Sequence, residues 1–213
     1  MTSATTIDRP ARRLGAGERR DQLVRVGLEV LHELPFDQLT ADTVAQRAGV
    51  SKGLVFHYFP TNRDLHVAVL RAATAELVAR IDTDHEATPG DRLRLGVAAF
   101  VDYIEQQPSS YRAISRGAGS DAQLVEVFEE TRASVVAIIE RAAGFDRLPP
   151  GLLLAARGWI ALVEESVLHW IDNGGLTRDD LVDFLHRAAL TLLADPIAVA
   201  GLSLLPGAPP RRR

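Results

Sequence analysis

The segment from Thr40 to Phe59 constrains the fold more than any other part of the sequence. It reads TADTVAQRAGVSKGLVFHYF. The side chains of Thr40 and Ser51 are types that cap helix N-termini, and Gly49 supplies the left-handed backbone at which a helix ends. The pattern therefore predicts two short helices, at about 41–48 and 52–58, joined by a tight turn.

The residues inside this segment suit a close crossing of two short helices. Val44 and Ala45 are expected to face inward, and Ala45 is small enough to let the second helix approach. Val50 is expected to fill the angle between the helices. Together these features predict a helix-turn-helix, whose second helix enters the major groove in many DNA-binding proteins. A buried helical hairpin without a nucleic-acid role is the alternative.

The second helix of the pair has a polar start. Ser51 caps it and leaves backbone amides available to a phosphate. Lys52, Gly53 and Leu54 are then expected to face a major groove, and Gly53 lets the backbone come close to DNA.

An aromatic block, FHYF, closes this helix. Helical spacing puts Phe59 on the same buried face as Val55, whereas Phe56 and Tyr58 project elsewhere. The hydroxyl of Tyr58 suits a phosphate oxygen. For His57, core packing, a local cap and DNA contact remain alternatives.

The rest of the chain reads as helix, so the predicted fold class is all-α. Leucines at three- and four-residue steps predict a helix at 18–34 that ends before Pro35. A capping-box pattern, Thr61 to Asp64, starts a helix at 62–81. Further helices are predicted at 91–107, 109–116, 121–143, 152–173 and 178–194.

Polar residues 82–90, ending in Pro-Gly, predict a boundary between two domains. Residues 1–81 carry 11 Arg and Lys against 9 Asp and Glu, and residues 82–213 carry 13 against 19. A basic N-terminal part and an acidic C-terminal part are typical of a DNA-binding end attached to a partner-binding body. The predicted regions are a flexible basic arm at 1–17, a DNA-binding domain at 18–81, a second domain at 82–195 and a flexible tail at 196–213.

Several classes of protein are disfavoured. The chain has no Cys, which excludes disulfide scaffolds and thiol chemistry. It has no apolar run long enough for a membrane helix and no secretory signal, so we expect a cytoplasmic protein without membrane contact. The spacing of Asp82, Asp84, His85 and Glu86 fits no common metal motif, and no nucleotide loop or nucleophile elbow is present. We therefore predict no metal, no cofactor and no catalytic residue.

The combined pattern resembles the DNA-binding domain of the TetR family of bacterial transcription regulators. The resemblance covers about residues 18–65 and rests on FDQLT (36–40), VAQRAGVSKG (44–53) and HYF (57–59) with Pro60 and Leu65. It implies a homodimer that binds a palindromic operator, usually as a repressor, and that a small molecule in the C-terminal domain releases.

The resemblance also assigns roles by position. Lys52, Gly53, Leu54 and Phe56 match groove-facing residues, and Thr40 and Tyr58 match phosphate-contacting ones. Asn62 stands where the family often has a lysine that grips the DNA backbone, and the neighbouring Arg63 is a candidate substitute. The predicted DNA-binding set is Thr40, Ser51, Lys52, Gly53, Leu54, Phe56, His57, Tyr58 and Arg63.

Within the second domain, polar and aromatic residues interrupt otherwise apolar helices. The resemblance places a ligand pocket among these helices, and an apolar pocket with a few polar groups is the usual form. A packed aromatic or a surface ion pair is the alternative for each residue. The candidate ligand-binding residues are Tyr103, Arg112, Arg116, Trp159, Glu164 and His169.

The helices at 152–173 and 178–194 are strongly amphipathic. Their apolar faces are predicted to be either intramolecular core or, as the resemblance suggests, a four-helix dimer interface that matches a two-fold operator. These faces comprise Leu152, Leu153, Ala156, Ile160, Val163, Val167, Trp170, Leu181, Phe184, Leu185, Ala188 and Leu192.

The sequence therefore favours a ligand-responsive transcriptional regulator, most often a repressor of its own or neighbouring genes. The alternative is a small helical ligand-binding protein or enzyme that does not act on DNA. Nothing in the sequence separates repressor from activator. The abundance of Leu, Val, Ala and Ile in the second domain favours a mostly apolar effector.

Overall fold

The structure is a computed structural model and describes residues 15–82, 87–106, 108, 111 and 121–193. Within these ranges it holds no strand and eight α-helices, which confirms the predicted all-α class. The helices are α1 (Ala16–Glu33), α2 (Ala41–Ala48), α3 (Lys52–Tyr58), α4 (Asn62–Ile81), α5 (Pro89–Gln106), α6 (Ala122–Ala143), α7 (Pro150–Asn173) and α8 (Arg178–Leu193), with a 3₁₀ turn at Phe36–Gln38. We call α1–α4 the head and α5–α8 the body.

Four predictions fall wholly or mostly outside the described residues. They concern the arm at 1–17, of which only residues 15–17 are described, the helix at 109–116, the polar cluster at 84–86 and the tail at 196–213.

Local capping sets the bounds of the short helices in the head. The Thr40 hydroxyl accepts from the Thr43 amide (3.2 Å) and the Ser51 hydroxyl from the Leu54 amide (3.2 Å). Gly49 ends α2 with φ at +64°, a conformation that L side chains rarely adopt. Thr61 and Asp64 form a reciprocal capping box at the start of α4. The predicted bounds of α2, α3 and α4 are therefore confirmed.

The core of the head forms where α1 crosses α4. A Cβ added to Gly27 would lie 2.4 Å from Val69 Cγ2, so the absence of a side chain at Gly27 allows this close approach of the two helices. Leu23, Val44 and Leu65 have no exposed surface. Val55 and Phe59 are buried as predicted, and they fix α3 to this core.

The body buries a second core between α5, α6, α7 and α8. Its fully buried members include Val101, Ile104, Val167 and Leu185. The indole nitrogen of Trp159 on α7 donates to the Leu185 carbonyl on α8 at 3.0 Å, so the pairing of these two helices is fixed by a polar contact as well as by packing.

Helices on both sides of residues 82–90 contribute to both cores. Leu77 of α4 belongs to the body core, and Leu124 and Val127 of α6 are buried in the head core. An ion pair also joins α4 to α6, since Arg71 of α4 donates to Glu130 of α6 through two nitrogens at 3.1 and 3.2 Å. Helix α6 thus joins the head to the body alongside α4.

The amphipathic faces of α7 and α8 are divided between core and surface. Most of the apolar residues predicted for these faces pack inside the body, as the intramolecular alternative predicts. Phe184 and Leu192 are exposed instead, and two further leucines of these helices, Leu154 and Leu190, are exposed as well. In the described part of the chain, no helix is long and apolar enough to span a membrane.

Candidate nucleic-acid interface and internal cavity

The first turn of α3 presents its polar start to solvent. Ser51, Lys52 and Gly53 are exposed, and Leu54 is half-buried. His57 is also exposed, and its ring meets that of Tyr58 edge-on at 5.1 Å between centroids. Because Val55 and Phe59 are buried on the opposite side, this polar face has a fixed orientation on the head.

Lys52 lies between two partners. Its Nζ is 2.6 Å from Asp42 Oδ2 on α2 and 5.7 Å from the centre of the Phe56 ring on α3. The ion pair joins the starts of the two helix-turn-helix helices. Sequence reasoning identified Lys52 but missed Asp42, since nothing in the local pattern indicates which of the nearby acids would meet it.

The start of α2 is held by two side chains of α4. Asn62 Oδ1 accepts from the Ala41 amide at 2.9 Å. His66 Nε2 donates to the Leu39 carbonyl at 2.6 Å, and its ring lies 4.8 Å from that of Phe36. Asn62, at the position where the resemblance leads one to expect a lysine, therefore positions the helix that begins after Thr40.

Arg63, the predicted substitute for that lysine, is bound elsewhere. Its Nε and Nη2 donate to the two carboxylate oxygens of Asp121 at 2.7 and 2.6 Å. These hydrogen bonds, together with the Gln123 and Leu124 amides, lower the pKa of Asp121 to about 2, and they raise the pKa of Arg63. Because Asp121 is also the N-cap of α6, the pair ties the first turn of α4 to the first turn of α6.

A cavity of about 290 Å³ lies inside the body and extends to the head. Its walls come from α4, α5, α6, α7 and α8, and Leu31 of α1 also borders it. Tyr103, Trp159 and Glu164, three of the candidate ligand residues, line this cavity. Arg112 and Arg116 lie outside the described residues.

His169 does not join the cavity. It is exposed on α7 and lies beside Asn173, whose side-chain amide donates to the His169 carbonyl at 2.9 Å. Helical periodicity explains the difference, because His169 is on the side of α7 opposite the buried Val163 and Val167.

Most polar groups of the cavity wall already have partners. The Trp159 indole is bound to Leu185, as described above. Arg132, which sequence reasoning missed, donates to Glu164 (2.7 Å) and to Glu129 (2.7 Å), and these hydrogen bonds raise its pKa. A wall whose charges are paired in this way favours a ligand that binds mainly through apolar contact.

The hydroxyl of Tyr103 is the most weakly bound of these groups. It donates to the Ala73 carbonyl on α4 at 3.4 Å, a long hydrogen bond, although the residue is buried. Burial raises the pKa of Tyr103, so the hydroxyl is protonated at neutral pH and able to donate to a ligand.

A second charged group borders the cavity near the end of α4. Arg141 Nη2 is 2.7 Å from Asp82 Oδ2, and Arg92 Nη2 is 3.8 Å from Asp82 Oδ1. Among the residues that the structure describes, no group of three or more His, Asp or Glu side chains is arranged to hold a metal ion.

A helix-turn-helix with an exposed recognition helix, attached to a helical body with an apolar cavity, defines a ligand-responsive DNA-binding regulator. Residues 23–69 match the family model described as bacterial regulatory proteins, tetR family, and residues 89–192 match the tetracyclin repressor-like C-terminal domain. The protein belongs to the TetR family of transcriptional regulators.

Known proteins support this assignment. The chain is 30% identical to the transcriptional activator FasR of Mycolicibacterium smegmatis over 173 residues, and this alignment covers 78% of each protein. A tetR-family regulator from Streptomyces coelicolor has a similar structure, with a TM-score of 0.76 and 27% identity over 89% of this chain and 85% of that one. FadR of Bacillus subtilis, solved in complex with stearoyl-CoA, shares the fold (TM-score 0.60, 18% identity, 82% and 97% covered).

Proposed function

We propose that the protein is a homodimeric repressor of its own or neighbouring genes, released from a palindromic operator by a mostly apolar small molecule. The observation that carries the DNA-binding part is the exposed first turn of α3, held in place by the buried Val55 and Phe59. One such helix from each subunit would enter successive major grooves, which lie about 34–36 Å apart on one face of B-DNA.

The proposed contacts divide by chemistry. Lys52, Gly53, Leu54 and Phe56 read base edges, and His57 lies at the edge of the same surface. The remaining contacts, Thr40, Ser51 and Tyr58, bind phosphate through a hydroxyl or through a helix N-terminus. We leave Arg63 out of this set, because a phosphate contact would first break its pair with Asp121.

The proposed dimer forms through the outer faces of α7 and α8. Leu154 is 74% exposed, and Phe184 and Leu192 are also exposed, although they lie on helices whose other faces are buried. Exposed apolar residues concentrated on two adjacent helices favour a subunit contact. A two-fold contact there would present the two heads symmetrically to a two-fold operator.

The proposed release works through walls that the cavity shares with the head. Ala73 and Leu77 of α4 and Phe128 of α6 line the cavity, and Phe128 also packs against the head core. A ligand that favours a different position of α4 or α6 changes the spacing of the heads. Operator affinity falls because the ligand binds one arrangement better than the other.

Fluorescence anisotropy tests the DNA-binding proposal. Purified protein is titrated onto labelled DNA from upstream of its own gene, at several salt concentrations and with excess competitor DNA. We expect saturable binding of two subunits per site that survives competitor. The double variant Lys52→Ala, Tyr58→Ala should lose this binding and keep its helical content, whereas Arg147→Ala, which removes an exposed cation in the turn after α6, should bind as wild type does.

A reporter gene under the same upstream region tests the sign of regulation. Expression should fall when the regulator is present, and a rise would make the protein an activator, as FasR is named. In the anisotropy experiment, the surface assigned to DNA is wrong if the double variant Lys52→Ala, Tyr58→Ala binds the upstream DNA as tightly as wild type does.

A further inference from the structure

The ion pair between Lys52 and Asp42 lies on the surface that we assign to DNA. Lys52 is the single lysine of the sequence, and it stands at the first position of α3, where an unpaired cation would attract any phosphate. Its ammonium group instead lies 2.6 Å from the Asp42 carboxylate. The two side chains are 51% and 66% exposed, so DNA can approach both of them.

We propose that Asp42 is a specificity-determining residue, which holds Lys52 in position to donate to a base edge and prevents it from acting as a general phosphate-binding cation. The inference rests on the proposed function, because it assumes that α3 enters the major groove. It adds to that function a residue of α2 to which neither the resemblance nor the sequence pattern assigned a role.

The charge balance of the pair supports this role. Attraction to phosphates supplies most of the affinity of a protein for DNA of any sequence. A lysine paired with a carboxylate adds no net charge to the DNA-facing surface, so it contributes little to this attraction. Binding to non-operator DNA is therefore weakened more than binding to the operator, which is how a repulsive or neutralising group increases discrimination.

The hydrogen-bonding capacity of Lys52 supports it as well. The ammonium group has three donors, and Asp42 accepts from one of them. The aromatic ring of Phe56 limits its movement on another side, at 5.7 Å from the nitrogen. Two donors remain for acceptors such as the O6 and N7 atoms of guanine, which a lysine recognises in the major groove.

A purely structural role for Asp42 makes a different prediction. Asp42 lies in the first turn of α2, where a negative charge stabilises the helix through its dipole. If this were its whole role, the change Asp42→Asn would lower thermal stability and leave DNA affinity unchanged. The two roles are therefore separable by measuring both quantities on the same variant.

The head offers a matched control. On α2, the helix that also carries Asp42, Arg47 forms an ion pair with Glu33 at the end of α1. The change Glu33→Gln also removes one negative charge from the head and also frees a cation, but it does so away from the start of α3. An effect of net charge alone would appear equally in Glu33→Gln and Asp42→Asn.

The experiment compares Asp42→Asn, Glu33→Gln, Lys52→Gln and the double variant Asp42→Asn, Lys52→Gln in the full chain. Affinity is measured by fluorescence anisotropy for the upstream duplex and for a scrambled duplex of the same composition, over a series of salt concentrations. We expect Asp42→Asn to bind the scrambled duplex about 3–10-fold more tightly, with a salt dependence steeper by about one phosphate contact. Its affinity for the upstream duplex should rise less, so that the ratio between the two falls.

The other variants decide whether the effect passes through Lys52. Glu33→Gln should change neither affinity. Asp42→Asn should strengthen binding to the scrambled duplex more when Lys52 is present than when it is replaced by Gln, because in Lys52→Gln the change removes only the repulsion between an unpaired carboxylate and phosphate. A gain of the same size with and without Lys52 would mean that Asp42 acts only by repelling phosphates, and it would overturn the positioning role. An unchanged affinity of Asp42→Asn for scrambled DNA, with or without a loss of stability, would overturn the proposal entirely.

The proposed operator binding and the proposed role of Asp42 are contradicted by different results. If wild type binds the upstream and scrambled duplexes equally, the operator assignment fails, whereas the effect of Asp42→Asn on scrambled DNA at low salt still tests the role of Asp42. If neither wild type nor Asp42→Asn binds any duplex at low salt, both hypotheses are overturned.

Discussion

In the head, Leu23, Val44 and Leu65 have no exposed surface, and N-cap side chains hold the starts of α2, α3 and α4. In the body, by contrast, Trp159 and Ile160 border a cavity of about 290 Å³. The head must present one fixed surface to DNA, and a filled core with local caps holds that surface in place. The body must admit a ligand, and it does so by leaving apolar side chains without neighbours on one side. Apolar residues of the same types thus make the head rigid and leave room for a ligand in the body.

The sharpest test of this difference compares equivalent truncations in the two cores. Leu65→Ala should lower the free energy of unfolding by about 2–5 kcal/mol, because it opens a cavity in a filled core. Ile160→Ala, at a wall that already borders empty space, should cost less. Urea unfolding of both variants measures the two values, and equal losses would contradict a difference in packing between the head and the body.

Overpacking the head is expected to have the next largest effect. Gly27→Ala places a methyl group 2.4 Å from Val69 Cγ2, so Val69 must move or α1 and α4 must separate, at a cost of about 1–3 kcal/mol. Thermal unfolding should show this loss. Gly158→Ala serves as the control, because a Cβ there has no neighbour within 4 Å and stability should be kept or slightly increased.

Filling the cavity of the body should weaken the binding of an apolar molecule there. Val163→Phe adds a ring to the cavity wall, and it should weaken binding of the apolar fluorescent probe N-phenyl-1-naphthylamine by about tenfold, or roughly 1.4 kcal/mol. DNA affinity should not change. Leu95→Phe adds the same ring at an exposed position of α5, and a similar loss of probe binding in that control would show that the probe does not occupy the cavity.

The smallest expected effect concerns the ion pair between the two regions. The pKa of Asp121 is lowered from an ordinary 3.8 to about 2 by its hydrogen bonds with Arg63. The stabilisation is therefore fully present above about pH 4 and is lost as pH falls through about 2. Asp121→Asn keeps a residue that caps α6 well but removes the charge.

The melting temperature of wild type and Asp121→Asn, measured from pH 2 to pH 6, checks this prediction. The two should differ at pH 5–6 and converge toward pH 2. Asp146→Asn, in the turn after α6, is the control and should follow wild type throughout. A constant difference across the whole range would show that the loss does not come from the titration of Asp121.

How much the sequence predicts depends on how far apart the interacting residues are. The bounds of α2, α3 and α4 were predictable because each cap acts within three residues of its helix start, as Thr40 and Ser51 do. The exposed face of α3 was also predictable, since helical periodicity puts Val55 and Phe59 together on the buried side.

Contacts between residues far apart in the sequence could not be predicted from such local patterns. Arg63 and Asp121 are 58 positions apart, and Arg132 and Glu164 are 32 apart, so no local pattern indicates either pair. The outer faces of α7 and α8 show a related limit. Leucine and phenylalanine occupy both the buried and the exposed sides, and the three-dimensional fold alone separates Leu185 from Phe184.

The sharing of α6 between the two cores bears on how regulators of this kind can be recombined. A chimera that joins this head to a foreign body at residue 82 would leave out Leu124 and Val127, which complete the head core, and Asp121, which binds Arg63. The remaining head would expose an apolar face and an unpaired cation. The exchangeable module is therefore the head together with the first half of α6, and a junction beyond Phe128 is the more conservative place to change effector response while keeping the DNA-reading surface.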